Sequence, residues 1–513
     1  MIERSYLTGW QLLLLNIAIG LGTFIQVLDT SIANVALPYI AGNLSVSADE
    51  GTWVITAFSA SNAIVLPLTG WLANYFGSVR LFVWSVLLFA LVSFFCGLSS
   101  SMTYLVTLRV LQGAVAGALI PLSQSLLLSQ NPPEKRGLAL GFWIIIVITA
   151  PIFGPIVGGY ITQEYSWPWI FYINVPIGAF SALFTWHFLK DKETPIVRNP
   201  IDWIGLILLT IGVGTLQVML DKGKDLDWFE SNVIIALTII SMISIVYFVL
   251  WNRLQKHPIV DFSVFKNLNF AIGTLALTLG FLLYFGSTVV IPLWLQTQQN
   301  YTPLWAGVAV APIGLIPVLV SLPLGAVIHR FDLRKISALS FIFFSYGFFV
   351  QSNFTTQLSL QTIMYTRLLQ GIGVSLFFLP LLQLSLSTIS QSQYTNATGL
   401  SNFTRILIGS GFGTSLTIEL WTRLSIFHHA RLAESMTNAN VEVVNAYQAL
   451  ENAGFSADVT KNIIDIGVTQ QAFMLSTNDL AFLSSVLFLF LIPLLFLCER
   501  PTHKEGATIA IEG

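Results

Sequence analysis

Residues 109–113 read Arg-Val-Leu-Gln-Gly, and residues 367–371, 258 positions later, read Arg-Leu-Leu-Gln-Gly. A longer pair recurs at almost the same offset. Gly70-Trp-Leu-Ala-Asn-Tyr-Phe-Gly-Ser-Val-Arg80 is answered, 255 positions on, by Gly325-Ala-Val-Ile-His-Arg-Phe-Asp-Leu-Arg-Lys335. Two motifs repeated in one order at nearly one spacing mark an internal duplication.

The stretches around these motifs are long and apolar. A helix needs about 20 mostly apolar residues to cross a bilayer. By that measure fourteen spans are predicted, at 11–37, 52–73, 80–99, 103–127, 138–161, 167–189, 201–220, 231–251, 269–294, 304–328, 335–351, 357–383, 397–420 and 477–498. The expected fold is an all-α polytopic membrane protein of two pseudo-symmetric six-helix bundles plus two inserted helices. Its parts are a first bundle at 1–190, the inserted pair and a linker at 191–268, a second bundle at 269–500 with a long loop at 421–476, and a tail at 501–513. Two related bundles permit alternating access to a midplane site, which a channel or a membrane enzyme does not require.

Composition agrees with a membrane chain. Of 513 residues, 55% are hydrophobic and 9% charged, against roughly a quarter charged in a soluble domain. The net charge of -2 gives no reason to expect a nucleic-acid partner. Cys96 and Cys498 lie in separate apolar runs and read as packing residues, and the six histidines form no ligand-spaced cluster. No metal site and no enzymatic centre are expected. The first apolar stretch, from Trp10 to about Leu37, exceeds the apolar region of a signal peptide and reads as a span.

Lys and Arg orient the chain. With both termini cytoplasmic, 15 fall on the inside and 5 (Lys222, Lys224, Arg423, Arg431 and Lys461) on the outside, while Arg109, Arg367 and Arg405 lie within spans. The positive-inside rule therefore predicts cytoplasmic termini.

Six motifs in order carry a family resemblance: Leu28-Asp-Thr-Ser-Ile-Ala-Asn-Val-Ala-Leu-Pro38; Gly70 to Arg80; Arg109 to Gly117; Ala150-Pro-Ile-Phe-Gly-Pro-Ile-Val-Gly-Gly159; Trp167-Pro-Trp-Ile-Phe-Tyr-Ile-Asn-Val-Pro-Ile-Gly178; and Ser401-Asn-Phe-Thr-Arg405. Over nearly its whole length the chain resembles the fourteen-helix drug:proton antiporters of the major facilitator superfamily (MFS), and within them the EmrB-type exporters. The resemblance implies proton-coupled export of lipophilic drugs or toxic compounds across a bacterial inner membrane, with the proton gradient in place of a cofactor. It also implies a periplasmic membrane-fusion adaptor of EmrA type and a TolC-type outer-membrane channel. Gly154, Pro155, Gly158 and Gly159 form its antiporter motif, implied to seal the protein against proton leak; close helix packing explains the same residues. Gly70, Gly77 and Arg80, with Gly325, Arg330, Asp332 and Arg334, form its gating loops. The first loop departs from the pattern, with Asn74, Tyr75 and Ser78 where the family has charges. Gating ion pairs are therefore expected mainly in the second loop.

Ionisable residues inside spans cost roughly 2.5–3.5 kcal/mol each on insertion scales and usually face the interior. Asp29 is the one carboxylate predicted well inside a span, roughly 12 Å from the outer end of the first. Arg109 enters the fourth span from the same side to roughly 9 Å. Matching depths predict a pair. A carboxylate beside an arginine releases its proton more readily, and a desolvated unpaired one holds it. Alternation between those states is proton coupling; a static ion pair fixing the bundle is the other reading.

Arg405, beside Asn402, has two readings as well: holding an anionic group or a protonation partner, or packing its helix. Arg367, the repeat mate of Arg109, lacks an evident acid and has two readings, a functional one like that of Arg109 or a structural one capping carbonyls, and Glu419 and Asp479 are expected to be solvated at helix ends. The substrate cavity is expected to be apolar with few polar groups: Gln26 and Asp29 in the first span, Thr56, Ser59 and Asn62 in the second, Gln124 in the fourth, Tyr284 in the ninth, and Asn402 with Arg405 in the thirteenth. The loop 421–476 is expected to hold two short helices, about 425–436 and 440–452, serving either as an adaptor contact or as a lid. An exporter of one endogenous metabolite, such as a siderophore or fatty acid, fits the same residues. A polytopic membrane enzyme would need acids and histidines clustered at one depth, and the sequence has none.

Overall fold

An apolar run inside a bilayer has no water to bond, so its backbone satisfies itself as a helix. The computed structural model describes residues 7–197, 200–256, 258–437 and 440–500, and every predicted span is helical in it. The helices are α1 (Gly9–Asn43), α2 (Trp53–Phe76), α3 (Ser78–Gly97), α4 (Met102–Gln130), α5 (Arg136–Glu164), α6 (Trp169–Leu189), α7 (Trp203–Lys222), α8 (Asn232–Leu254), α9 (Leu268–Thr297), α10 (Trp305–Arg330), α11 (Leu333–Gln351), α12 (Leu360–Leu386), α13 (394–434) and α14 (Ala457–Phe496).

Among the described residues, twelve of these are long and apolar enough to cross a membrane. The two others are α5 and α13. α5 runs 29 residues, but several side chains beyond Val147, Pro155 among them, lie outside the described residues. α13 is interrupted by a π-helical segment, Thr404–Phe412, a distortion that often marks functional positions. The tail 501–513 and Arg4, Arg198 and Lys504 of the charge count lie outside the described residues.

The stretch 421–476 differs from expectation. Both expected stretches are helical, but the first is the end of a longer helix rather than an isolated one. α13 continues to Glu434, α14 begins at Ala457, and only Val441–Asn452 is a separate short helix. The apolar criterion ends where polarity rises, whereas helix propensity does not. The extensions are tied together: Trp421 Nε1 donates to Thr477 Oγ1 at 2.9 Å, Ser476 Oγ donates to the Trp421 carbonyl at 2.6 Å, and His429 pairs with Asp465 at 3.1 Å.

The first six and the last six helices meet at one end. Among the described residues, every side-chain hydrogen bond between them joins 121–136 to 391–402: Ser125 with Thr395 at 2.7 Å, Arg136 with Tyr394 at 3.1 Å, Thr398 to the Pro121 carbonyl at 3.1 Å, Gln391 to the Ser129 carbonyl at 3.4 Å, and Asn402 with Gln124 at 2.7 Å. α5 crosses α10 backbone to backbone there. A Cβ on Gly325 would stand 2.8 Å from the Gly137 carbonyl carbon, and one on Gly141 2.5 Å from the Ser321 oxygen. At the opposite end a cleft of about 280 Å³ opens between α2, α7 and α13. The inserted pair flanks it. α7 packs on α2 through Gly214 and Ile64 and on α8 through Ser241 and the Gly212 carbonyl, while α8 turns Ile239, Ile243, Val246 and Leu250 outward.

Candidate functional site

Asp29 of α1 and Arg109 of α4 form a buried ion pair, with Arg109 NH1 2.5 Å from Asp29 Oδ2. Relative exposures of 2% and 0% leave no solvent to screen it. Asn174 of α6 donates to Asp29 Oδ1 at 2.9 Å, Gln112 donates to the same oxygen at 3.3 Å, and Gln112 Oε1 accepts from Arg109 at 2.7 Å. Arg109 Nε donates to the Val54 carbonyl of α2 at 3.0 Å, and its guanidinium lies 4.3 Å over the Phe58 ring. The repeat mate keeps half of this arrangement. Arg367 donates to Gln370 at 2.6 Å, and Gln370 to Gln351 at 3.0 Å; no carboxylate pairs with it among the described residues.

A second group sits where the halves meet. Asn402 bridges to Gln124, and Arg405 donates to Asn402 Oδ1. The Arg405 guanidinium lies between the rings of Phe281 at 4.5 Å and Phe378 at 5.0 Å, a cation held by π faces rather than by an acid. Phe378 also stacks on Trp143 of α5 at 6.0 Å, and the Trp143 indole donates to Ser123 at 3.0 Å. Gln26, Asn62 and Gln124 are buried, each with one polar atom lacking a partner among the described residues: Gln26 Oε1, Asn62 Nδ2 and Gln124 Nε2. Such atoms are where a bound polar group gains most.

Of the other expected cavity residues, Thr56 and Ser59 line the cleft at the open end. Tyr284 does not join them. It packs inside the second bundle, 5.7 Å from Phe344 and 5.2 Å from Phe285.

Gly154 and Gly158 of α5 lie against α1 just beyond Asp29. A Cβ on Gly154 would strike the Ser31 side chain, and one on Gly158 would stand 3.0 Å from Ile32; Gly159 faces open space. In the first gating loop Gly70 abuts Asn396, where a Cβ would come within 2.9 Å. Gly77 has φ 91°, which favours glycine. Glu193 compensates for the missing charges: its oxygens accept from the Val79 and Arg80 amides, each at 2.9 Å, at the start of α3, where a carboxylate is favoured. In the second loop Arg334 forks onto Asp332 at 3.1 and 2.9 Å, and Arg500 approaches the same carboxylate at 3.5 Å. The Arg334 hydrogen bond holds the Asp332 carboxyl below the usual carboxylate range. Arg330 is exposed.

Residues 19–414 match the sequence profile described as Major Facilitator Superfamily. The chain belongs to that superfamily. It is 45% identical over 507 residues to the multidrug export protein EmrB of Escherichia coli (strain K12), covering 99% of each chain. It is 44% identical over 500 residues to the fatty acid resistance protein FarB of Neisseria gonorrhoeae, covering 98% of each. Among solved structures it is similar to the human organic anion transporter MFSD10 (TETRAN), with TM-score 0.58 and 14% identity over 94% of this chain and 98% of that one; this likeness shows the fold. As an MFS member the chain is a multi-span membrane transporter and not an enzyme.

This MFS transporter also holds residues that sequence reasoning passed over. Asn174 and Gln112 complete the Asp29 shell; Gln112 stands three residues after Arg109 in the repeated motif, the i, i+3 spacing that shares a helix face. Asp221 lines the open cleft. Its position at the last turn of α7, beside Lys222, hid it among residues assigned to a loop.

Proposed function

We propose that this transporter is a proton-coupled antiporter that exports lipophilic drugs or toxic compounds across the bacterial inner membrane by alternating access. The observation that carries the reading is the pair of related bundles latched at one end and cleft at the other. Such a shape is one station of a two-state cycle, and full-length likeness to a multidrug export protein supports the cargo. The proton gradient supplies the energy and no cofactor takes part. Both termini are cytoplasmic, so the latched end faces the cytoplasm and the cleft the periplasm. The chain then forms the inner-membrane part of a tripartite pump, with an EmrA-type adaptor and a TolC-type channel beyond it.

Asp29 carries the coupling in this reading. Where α1 and α4 are held together, Arg109 compensates its charge; when the bundle rearranges, separation from Arg109 leaves a buried carboxylate that takes a proton. The deciding experiment is transport by the purified chain in proteoliposomes, over a panel of lipophilic cations, uncouplers and bile acids, with and without a pH gradient. Gradient-dependent accumulation of several unrelated compounds is expected, and its loss in Asp29→Asn. Equal transport with and without the gradient overturns proton coupling. For the adaptor, replacing Val441–Asn452 with a Gly/Ser linker should abolish co-purification; unchanged co-purification removes that helix from the contact.

One observation favours a second cargo class. Arg405 is a cation without a carboxylate partner among the described residues, set between two aromatic rings, and one relative is named for fatty acid resistance. An amphipathic organic acid fits that combination. Loss of transport for anionic substrates alone in Arg405→Gln would support it.

A further inference from the structure

The sealed position of Asp29 raises the question of how a proton reaches it from the open end. Asp29 is enclosed by Arg109, Gln112 and Asn174, and it does not line the cleft. Asp221 does. It is the last residue but one of α7, facing Thr52 just before α2, Thr56 and Ser59 of α2, and Ser415 of α13. Gln217 Nε2 donates to its Oδ1 at 2.9 Å, and the Thr56 hydroxyl also bonds to the carboxylate. Among the described residues it makes no ion pair.

Among the described residues, the charged groups nearby are few. On its own segment they are Lys222, which donates to Thr52 and approaches Asp225 at 3.4 Å, and Lys224 beyond it. Glu230 follows in the turn after α7. α13 contributes Glu419, which is paired with Arg423, and α2 presents only hydroxyl and apolar side chains to the cleft. Trp228 closes the cleft from the side. It and Asp227 both adopt left-handed backbone, with φ 50° and 55°, unusual for residues other than glycine. Its indole Nε1 is buried without a partner.

We infer that Asp221 is a second proton-binding site, the carboxylate that exchanges the transported proton with the solution at the open end. The inference rests on the antiport reading and deepens it. The groups hydrogen-bonded to Asp221 are neutral, so both of its states are satisfied: ionised, it accepts from Gln217 and Thr56; protonated, it loses its charge and donates its O–H to the Thr56 hydroxyl or the Gln217 amide oxygen. The structural link to Asp29 is one turn of α2. Thr52 and Thr56 face Asp221, and the carbonyl of Val54, between them, accepts from Arg109. Uptake of a proton at Asp221 therefore changes the bonding of the same turn that helps hold the Asp29–Arg109 pair. The inserted pair of helices thus supplies a coupling group as well as bulk.

Two measurements test this. In proteoliposomes, Asp221→Asn is expected to lower pH-gradient-driven accumulation by about tenfold, within the range of a coupling between sites, while gradient-free substrate counterflow falls far less; Asp221→Glu should recover part of the driven rate. Driven transport unchanged in Asp221→Asn, or counterflow lost in equal measure, overturns the assignment. On the wild-type chain, where folding of a variant is not at issue, a hydrophobic carbodiimide should label Asp221 at acid pH and progressively less as pH rises. Absence of the labelled peptide at acid pH overturns it equally. A wild type that shows no gradient-driven export sinks the antiport reading itself; a normal wild type beside an unimpaired Asp221→Asn sinks only the role of Asp221.

Discussion

The Asn402 amide of α13 donates to Gln124 Oε1 of α4 at 2.7 Å, and also to the Thr398 carbonyl at 2.7 Å. Neither residue is reached by solvent, so this bond joins the two halves in a place where water cannot replace it. Asn402→Ala leaves the Gln124 side chain with both ends unpaired, a loss of about 1–3 kcal/mol from the latched state. The expected result is a wider excursion of that end. It is measured as faster maleimide labelling of a cysteine placed at Thr395; an unchanged labelling rate sinks the latch.

The Asp29–Arg109 pair gives an asymmetric pattern of stability. Asp29→Asn leaves a buried guanidinium without its counter-ion and is expected to destabilise the chain by about 3–5 kcal/mol. Replacing both residues together, as Asp29→Asn with Arg109→Met, should recover much of that loss. Thermal melts in detergent check both statements. A double variant no more stable than the single one contradicts the argument.

Backbone contact between α5 and α10 predicts a sharp size limit. A methyl group on Gly325 would meet the Gly137 carbonyl carbon at 2.8 Å and Leu138 Cα at 3.1 Å, and backbone atoms do not step aside. Gly325→Ala should therefore disfavour the latched state, and Gly325→Val more so. Spin-label distances across that end would lengthen in the order Gly, Ala, Val. No change with size would mean that the two helices separate without cost.

Acid should loosen the second gating loop. Asp332 is held below the usual carboxylate range chiefly by its hydrogen bond from Arg334. A carboxyl lowered on folding contributes stability above its unfolded value, about 3.9, and that contribution is lost as pH falls through the lower folded value. Between pH 5 and 8 the contribution is constant. Melting temperatures of wild type and Asp332→Asn should differ at neutral pH and converge toward strongly acid pH. A gap that persists unchanged in acid shows that the carboxylate charge is not what Arg334 holds.

Much of this was legible in the chain, and the residues show why. Apolar run length locates helices because the bilayer admits little else, and depth alone matched Asp29 with Arg109. Depth says nothing about azimuth, however. Tyr284 and Thr56 are both polar residues in spans, yet one packs among Phe285 and Phe344 and the other faces the cleft. Asp221 was masked by position, since a carboxylate at a helix end beside lysines resembles a solvated terminus. Glu193 answers for the charges missing after α2 from 114 residues beyond Val79 along the chain, a compensation that no local pattern displays. Within 421–476 the helix at Val441–Asn452 was legible, whereas the extensions of α13 and α14 were not, because hydropathy measures the membrane and helices do not have to stop where it does.

The length of α14 has a mechanical consequence. Its 40 residues span about 60 Å at 1.5 Å per residue, twice the roughly 30 Å of a hydrocarbon core. About half of the helix therefore extends beyond the hydrocarbon core as a stiff arm, braced along its side by the end of α13. Such an arm acts as a lever: tilting it by about 10° within the membrane sweeps its free end through about 5 Å. A small rotation of the second bundle is thereby carried, amplified, to whatever meets the free end, about 30 Å beyond the hydrocarbon core.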